Sequence, residues 1–300
     1  MPKSTPKQTE APILPKPFLK WAGGKRALLP LINEKIPEQI QGNYIEPFLG
    51  AGAVFFSRNK EEQKIVNDSN LDLIQVYKVI RDSLDQLIIE LKKHRNNKDY
   101  FLTIRRWDRN PSRWEKKTSV QRAARFIYLN KTCFNGLYRV NSKGNFNVPF
   151  GHYAKPDFKS DGNLRAVSEF LNTKSAGSKR AVKLKSGNYR EVTAMATEND
   201  FVYLDPPYDP VSATASFVSY QRGGFTSEDQ EDLKEEILRL TELGVQVLLS
   251  NSDTQYIRSL YSDKKIFKTK KIQVARTISA KASSRIKTGE VLIDNYKTLG

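Results

Sequence analysis

Asp205-Pro206-Pro207-Tyr208 places a carboxylate, two rigid prolines and a flat aromatic ring in four consecutive residues. The preceding Phe201-Val202-Tyr203-Leu204 is typical of a buried strand, and proline cannot continue a central strand. We therefore expect the tetrapeptide at the carboxyl end of a strand, where open α/β sheets bind their ligands. Its carboxylate and a proline carbonyl are suited to accept two N–H bonds from an amino group on a planar ring, while the tyrosine stacks on that ring. A proline-rich turn beside a core tyrosine is the competing interpretation of these four residues alone.

A second candidate ligand-binding segment, Glu46-Pro47-Phe48-Leu49-Gly50-Ala51-Gly52, follows a short predicted strand and precedes a predicted helix. Gly50 and Gly52 permit a close approach of the backbone to a ligand, and the amides at a helix start point toward it. Asp68 ends the next predicted strand, about 20 residues further on, where an acidic residue typically binds the ribose of an adenosine-containing cofactor. A tight turn for the glycines and a helix N-cap for Asp68 are the competing interpretations.

The charge of the chain indicates a polyanionic partner. Fifty Lys and Arg residues oppose 33 Asp and Glu residues, which gives a net charge of +17 on a chain that is 38% hydrophobic. A solvated basic surface without a partner is the alternative. The single cysteine, Cys133, and the two histidines, His94 and His152, are too few for a Cys/His zinc site and exclude an intrachain disulfide. We expect no metal, and one thiol is compatible with a reducing cytoplasm.

The amino-terminal residues, Met1 to Pro17, are rich in Lys, Pro, Ser and Thr and contain no apolar run. This composition predicts neither a signal peptide nor a membrane span. We interpret residues 1–16 as a disordered basic tail.

Strand and helix patterns alternate in both the early and the late parts of the chain, which predicts a doubly wound sheet. Apolar residues at helical spacing from Leu71 to Leu91 predict one long helix or two adjoining helices. Capping-box spacing at Ser227 and Gln230 predicts a helix that Gly244 closes. Further strands are expected at Val182–Leu184, Phe201–Asp205, Val245–Leu249, Ile266–Val274 and Glu290–Tyr296.

The alternation breaks in the middle of the chain, where arginines cluster with two tryptophans. A helix is expected at Ser119–Leu129. Leu137–Val140 and Asn145–Val148 alternate on both sides of Asn141-Ser142-Lys143-Gly144, which predicts a β-hairpin. The basic and aromatic residues of this region are Arg105, Arg106, Trp107, Arg109, Arg113, Trp114, Arg122 and Arg125.

Together these motifs resemble the Dam-type DNA adenine-N6 methyltransferases, from about Pro17 to Tyr296. An ordered set of this kind is far more specific than any one motif. The shared segments, in the order of that family, are Phe18–Lys25, Tyr44–Gly52, Asp68-Ser69-Asn70, Asn135-Gly136, Phe146–Gly151, Asp205–Tyr208, Ser212–Ala215 and Ser250–Thr254.

The resemblance implies an α/β fold with a doubly wound, Rossmann-like methyltransferase sheet of seven strands, the last hairpin being antiparallel. It also implies an inserted, mostly helical DNA-recognition domain that carries the β-hairpin. We expect residues 17–80 and 180–300 to form the catalytic domain that binds S-adenosyl-L-methionine, residues 81–165 to form the recognition domain, and residues 166–179 to form a loop or linker.

The resemblance also assigns roles to individual residues. Asp205, Pro206 and Tyr208 would be catalytic. Phe134 stands where a tyrosine is common in the family, which leaves the exact target site open. The cofactor would be held by Trp21, Lys25, Glu46, Phe48, Gly50, Gly52, Asp68 and Asp205, with Lys25 near its carboxylate. The DNA would be contacted by Lys20, Phe134, Asn135, Leu137, Arg139 and Pro149, which include the positions that read GATC in Dam-like enzymes.

The expected activity is methylation of adenine N6 in duplex DNA, with the base extruded from the helix. RNA base methylation is the nearest alternative, and a basic DNA-binding protein without catalysis is a second one. A small-molecule methyltransferase would not explain the net charge of +17. We expect a cytoplasmic, nucleoid-associated monomer with double-stranded DNA as its partner and no membrane association.

Overall fold

The computed structural model describes residues 14–58, 62–173, 182–210, 225–274 and 288–296. Seven strands form one sheet, as expected from the sequence. In chain order they are β1 (Tyr44–Glu46), β2 (Lys64–Asp68), β3 (Val182–Ser186), β4 (Phe201–Leu204), β5 (Gln246–Ser252), β6 (Lys268–Val274) and β7 (Thr288–Asp294).

The strands are ordered β3-β2-β1-β4-β5-β7-β6 across the sheet. The first five of that order pair in parallel, whereas β7 is antiparallel to both β5 and β6, which confirms the expected closing hairpin. Because β7 runs against its neighbours, its first residues lie beside the last residues of β5. The carboxyl edge of the parallel strands therefore receives side chains from β7 as well.

Helices cover both faces of the sheet. They are α1 (Leu29–Lys35), α2 (Ala53–Ser57), α3 (Leu71–Asp82), α4 (Leu84–Lys93), α5 (Lys98–Arg105), α6 (Pro111–Glu115), α7 (Ser119–Thr132), α8 (Gly162–Asn172), α9 (Arg190–Thr193), α10 (Ser227–Glu242) and α11 (Gln255–Leu260). Short 3-10 turns occupy Arg26–Leu28, Arg106–Arg109 and Phe134–Gly136.

The alternating side chains of β4 show how the sequence produces these two layers. Phe201 and Tyr203 enter the core shared with α1, α2, α3, α7 and α8, whereas Val202 and Leu204 enter the core shared with α9, α10 and α11. Successive residues of a strand point to opposite faces, so a strand that is apolar throughout must be covered on both sides.

Helix α7 joins the middle of the chain to the sheet. Ala124 and Ile127 of α7 belong to the core on one face of the sheet, whereas Tyr128 and Leu129 belong to a smaller core that also contains Phe146. One helix therefore contributes to both cores, and the middle of the chain packs directly on the layer that covers the sheet.

Several local predictions were confirmed and others were wrong. The apolar run after Leu71 forms two adjoining helices, and Gly244 follows α10 with a φ of 79°. The capping box of α10 is one residue earlier than expected, since Thr226 and Asp229 form it. Part of the expected linker, 166–179, is helical, because α8 extends to Asn172.

The predicted hairpin is largely irregular. Its turn forms, since Asn141 N–H donates to Asn145 O at 2.9 Å, but the two arms share only an isolated bridge between Val140 and Phe146. Side chains of the preceding segment bond the opposite edge of the second arm: Phe146 N–H donates to Asp108, and the Val148 carbonyl accepts from Arg105. The expected tail is described only from Leu14 onward, and Ser212–Ala215 lies outside the described residues.

Candidate active site

Three acidic residues mark one edge of the sheet. Glu46, Asp68 and Asp205 end or immediately follow the parallel strands β1, β2 and β4. On the antiparallel strand β7, Glu290 pairs with Ser252 at the end of β5 and so reaches the same edge. The carboxyl ends of parallel strands and the beginning of β7 therefore surround one site, as the position of the Pro-Pro segment predicted.

Asp205 forms an ion pair with Lys25 at this edge. The Lys25 Nζ lies 2.7 Å from Asp205 Oδ1, and it also donates to the Gly23 carbonyl at 2.5 Å. Burial raises the pKa of Asp205 to about 6, and the adjacent Lys25 ammonium limits that rise. The structure thus brings Lys25 to the proposed catalytic carboxylate.

The ring of Tyr208 is held on two sides. Its hydroxyl donates to Glu290 Oε2 at 2.8 Å, and the Lys25 Nζ lies 4.6 Å from the ring centroid. Burial raises the pKa of the Tyr208 hydroxyl well above its ordinary value, so the group stays protonated and remains a donor. Sequence reasoning identified Tyr208 but not Glu290.

A buried polar network fixes the backbone beyond Pro206. Gln230 Nε2 donates to the Pro207 carbonyl at 3.1 Å, and Asn251 Nδ2 donates to Gln230 Oε1 at 3.0 Å. Asp209 N–H donates to Asn251 Oδ1 at 3.2 Å. Within the described ranges, no hydrogen bond occupies the Pro206 carbonyl. The Pro206 carbonyl can therefore still accept a hydrogen bond. The backbone groups that follow it are already held by hydrogen bonds of their own.

The glycine loop is closely packed against Asp68. Gly50 N–H donates to Asp68 Oδ2 at 2.9 Å, and Asn70 N–H donates to Asp68 Oδ1 at 2.9 Å. Gly50 has a φ of 51°, and a Cβ at this position would lie 2.9 Å from Trp21 Cδ1. The loop thus requires glycine both for its backbone conformation and for contact with Trp21.

Asp68 is not a helix cap. Asn70 caps α3, because its side chain accepts from Leu73 N–H at 3.0 Å. The Asp68 carboxyl is largely buried, which raises its pKa, while its two backbone hydrogen bonds oppose that rise. Each of its oxygens has a second lone pair beyond those two bonds, which leaves acceptor capacity for a ligand hydroxyl.

Glu46 lies under the glycine loop, buried in the core. Its Oε2 accepts from the Tyr44 hydroxyl at 2.5 Å, and the backbone of Phe55 in α2 also donates to it. Burial raises the pKa of Glu46 well above its ordinary value. Its contacts in the structure support the loop and the start of α2 from within.

The residues around the loop fit an adenosine-containing cofactor. Phe48 is half-buried, and its ring lies 5.4 Å from Tyr189 and 6.1 Å from Phe225 between centroids. In such a cofactor the base would be bound by an aromatic group and the ribose by the Asp68 carboxylate. The tight glycine turn would let the remaining part of the cofactor pass close to the backbone. The residues at this edge of the sheet therefore suit an adenosine-containing cofactor.

A second cluster gathers most of the residues expected to contact DNA. Lys20 N–H donates to Asn130 Oδ1 at 2.9 Å, and Asn130 Nδ2 donates to the carbonyls of Lys20 at 2.8 Å and Gly136 at 3.0 Å. Phe134 N–H donates to the Pro149 carbonyl at 2.9 Å. Fully buried Asn130, which sequence reasoning missed, thereby joins Lys20, the Phe134–Gly136 turn and Pro149.

The exposed side chains of this second cluster differ in how they are held. Phe134 is 51% exposed, which is unusual for a large apolar side chain, and Asn135 beside it has a φ of 55°. Arg139 is exposed, and its Nε donates to Asn147 Oδ1 at 2.9 Å. Leu137 is half-buried against the small core, so it is the least accessible of the group.

Trp21 connects the two clusters. Its indole stacks on Tyr138 and Phe126 at centroid distances of 5.6 and 6.2 Å, while its edge covers Gly50. The predicted cofactor residue is therefore also a packing residue of the middle segment. This double contact places the two candidate sites next to each other.

Comparison with known proteins identifies the family. The model of the D12 class N6 adenine-specific DNA methyltransferases matches residues 21–278, which include most residues of both clusters described above. The chain belongs to this family. It is an adenine-specific DNA methyltransferase.

Relatives of similar length support the assignment. The methyltransferase is 42% identical to "Type II methyltransferase M1.LlaDCHI" of Lactococcus lactis subsp. cremoris, over 94% of this chain and 95% of the relative. It is 40% identical to "Type II methyltransferase M.MjaIII" of Methanocaldococcus jannaschii, over 94% and 99%. It is 35% identical to "DNA adenine methylase" of Escherichia coli K12, over 92% and 93%.

Other chemistries find little support in the described part of the methyltransferase. Cys133 is buried, its Sγ lies 3.2 Å from the Leu137 carbonyl, and burial raises the pKa of the thiol to about 12, which is unfavourable for a nucleophile. Among the described residues, no group of three or more His, Cys, Asp or Glu side chains is placed to hold a metal ion. None of the described helices is long and apolar enough to cross a membrane.

Proposed function

We propose that the methyltransferase uses S-adenosyl-L-methionine to methylate N6 of an adenine extruded from duplex DNA, within GATC. The observation that carries this proposal is the arrangement of Asp205, the Pro206 carbonyl and Tyr208 beside the loop that contains Gly50. Two acceptors and an aromatic face at one edge match the amino group and ring of adenine. The family assignment supports adenine N6 as the atom that is methylated.

The residues of the chain would act on the amino group directly. Asp205 is ionised above a pH of about 6, and in that form it accepts one N–H bond while the Pro206 carbonyl accepts the other. These bonds favour a pyramidal nitrogen whose lone pair is available, and they stabilise the positive charge that grows on it. Lys25 keeps Asp205 ionised and in place at 2.7 Å.

Tyr208 would hold the extruded base. Extrusion costs a few kcal/mol, and stacking on an aromatic ring offsets about 1–3 kcal/mol of this. Because the Lys25 ammonium approaches one face of the ring, we assign the base to the opposite face. Positioning of the nitrogen would then supply most of the rate enhancement.

The cofactor would be held by the glycine loop and its neighbours. Asp68 would accept from the ribose hydroxyls, Phe48 would contact the adenine, and Trp21 with Gly50 would border the methionine part. When bound, this cofactor supplies an activated methyl group.

We assign base recognition to the segment from residue 81 to residue 165, together with Lys20. Lys20, Leu137, Arg139 and Pro149 match positions that read GATC in Dam-like enzymes, and Asn130 holds the backbone of Lys20 next to the turn that carries Asn135. Phe134, exposed beside Asn135, would enter the base stack next to the flipped adenine. Exposed Arg139 is suited to guanine O6 and N7.

Methyl transfer from labelled S-adenosylmethionine tests the proposal. The wild type, Asp205→Ala and the exposed control Glu34→Gln would be incubated with a GATC duplex, a scrambled duplex and RNA of the same sequence. We expect N6-methyladenine only in the GATC duplex, no transfer by Asp205→Ala and wild-type transfer by Glu34→Gln. Equal labelling of the scrambled duplex would refute GATC recognition, and full activity of Asp205→Ala would refute the role of its carboxylate.

A further inference from the structure

Glu290 contacts Tyr208 at the hydroxyl of the ring, and Asp205 also interacts with that side chain. The Glu290 Oε2 accepts from the Tyr208 hydroxyl at 2.8 Å. Hydrogen bonds to a carboxylate are shorter and about twice as strong as neutral ones. A bond at the far end of the ring fixes the position of the hydroxyl and so restricts the swing of the side chain about χ1. Glu290 therefore fixes the direction in which this ring points.

The direction of β7 explains how Glu290 reaches the site. In the antiparallel register Glu290 pairs with Ser252 of β5 and with Ile272 of β6. Its position is thus set by backbone ladders on both sides, more rigidly than a loop residue would be. A rigid carboxylate can hold the Tyr208 hydroxyl in one place.

The other contacts of this segment act elsewhere. Gln230 holds the Pro207 carbonyl, and Lys25 approaches the ring face, so neither bonds to the hydroxyl. The backbone and one face of the ring are thereby determined, while the position of its hydroxyl depends on Glu290. We infer that Glu290 is a positioning residue that holds the Tyr208 ring for stacking on the target adenine, an inference that rests on the proposed function.

Glu290 also acts through its charge. Its carboxylate raises the pKa of Asp205, in opposition to Lys25, which lowers it. Tyr203 is a further ionisable group near Asp205, and Glu46 lies close on β1. Replacing Glu290 by glutamine keeps an acceptor for Tyr208 and removes the charge. The two effects of Glu290 can therefore be separated.

Four variants of the full chain test the inference: Glu290→Ala, Glu290→Gln, Tyr208→Phe and the double variant Glu290→Ala/Tyr208→Phe. Transfer to a GATC duplex would be measured with Glu34→Gln as a control that removes a remote, exposed carboxylate. We expect Glu290→Ala and Tyr208→Phe each to lower kcat by about 10- to 100-fold, as a misplaced group does, with KM for DNA within about threefold. The double variant should be no worse than either single variant, since both remove the same bond.

Glu290→Gln should keep kcat within about threefold of wild type and move the acidic limb of the pH profile to lower pH. Because stacking quenches 2-aminopurine, a duplex carrying it at the target adenine should fluoresce more brightly on Glu290→Ala than on the wild type. These readouts distinguish positioning of the ring from a loss of folding. If Glu290→Ala does not fold, comparing the kcat of Glu290→Gln with that of Tyr208→Phe decides the question.

Independent losses that multiply in the double variant would overturn the inference, and so would a loss of kcat in Glu290→Gln as large as that in Tyr208→Phe. Failure of the proposed function is a different result. In that case the wild type itself transfers no methyl group to adenine in any duplex.

Discussion

Lys25 and Asp205 form a close ion pair, 2.7 Å between Nζ and Oδ1, although they lie 180 positions apart in the chain. Lys25 is almost completely buried, with 4% of its side chain exposed, so water does little to screen this pair. The pair joins the loop before α1 to the segment after β4. It sets the charge of the carboxylate on which the proposed chemistry depends.

The activity of the wild type should therefore depend on pH through Asp205. Burial raises the pKa of Asp205 to about 6, so the carboxylate is present above that pH and lost as pH falls through it. We expect kcat/KM for methyl transfer to fall about tenfold per pH unit below pH 6 and to be flat above it. A pH profile between 4.5 and 8.5 checks this. An acidic limb near the ordinary aspartate pKa of about 4 would contradict it.

Replacing Lys25 by methionine should move this limb. The ammonium lowers the pKa of Asp205, so its removal raises that pKa and shifts the acidic limb to higher pH. The exposed Lys270, which pairs with Glu34 at 3.3 Å, provides the control Lys270→Met. We expect the control to keep the wild-type profile. An unchanged limb in Lys25→Met would show that the ion pair does not govern Asp205.

Gly50→Ala and Gly144→Ala form a matched pair, because both glycines have positive φ values, 51° and 79°. A Cβ at Gly50 would meet Trp21 at 2.9 Å, whereas a Cβ at Gly144 would meet nothing within 4 Å. Both changes should lower the free energy of unfolding by about 1 kcal/mol through the backbone. Only Gly50→Ala should also weaken cofactor binding by about tenfold or more, measured by calorimetry. Equal cofactor affinities would exclude a role for the Gly50 contact.

Asn130→Ala should impair DNA discrimination more than cofactor binding. The change leaves the amide of Lys20 and the carbonyls of Lys20 and Gly136 without their partner, at about 1–3 kcal/mol for a buried group. The control Asn172→Ala removes two exposed bonds of an asparagine at the end of α8, to the carbonyls of Arg81 on α3 and Ser168 on α8. We expect reduced preference for GATC over a scrambled duplex in Asn130→Ala alone, measured by competition binding. Wild-type preference in that variant would assign Asn130 a purely structural role.

Arg139→Ala tests base recognition directly. If Arg139 binds guanine bidentately, as we propose, its loss should lower sequence discrimination by about 1–3 kcal/mol. Its Nε bond to Asn147 is exposed, so little stability should be lost with it. Methylation of GATC and of single-substituted duplexes measures the effect. Unchanged discrimination would move base readout to another residue.

The sheet and the position of the acidic residues at its carboxyl edge could be predicted because their signals are local. Apolar runs before Asp68 and Asp205 predicted buried strands, and prolines marked where β4 ends. The hairpin was predicted only in part: its turn forms, but the arms share one isolated bridge, and the second arm is bonded by Asp108 and Arg105 of an earlier segment. The α8 helix was missed although Leu164, Val167 and Leu171 recur at helical spacing.

The roles of Glu290 and Asn130 had no comparable signal. Glu290 meets Tyr208 only because β7 is antiparallel to β5 and pairs in one particular register. Asn130 looks like any polar residue of an amphipathic helix until the fold brings Lys20 to it. The sequence alone was enough to identify residues with unusual chemistry. The residues that hold them in place could not be identified, because their contacts depend on pairing between distant segments.

The position of Trp21 has a thermodynamic consequence. One indole lies against Gly50 and stacks on Tyr138, so a shift of this side chain on binding of one proposed ligand would be transmitted to the surroundings of the other. If cofactor occupancy changes the affinity for DNA by a given factor, DNA must change the affinity for the cofactor by that same factor. A single aromatic side chain would thus make the two ligands effectors of each other, and the order in which they bind would not alter the energy of the ternary complex.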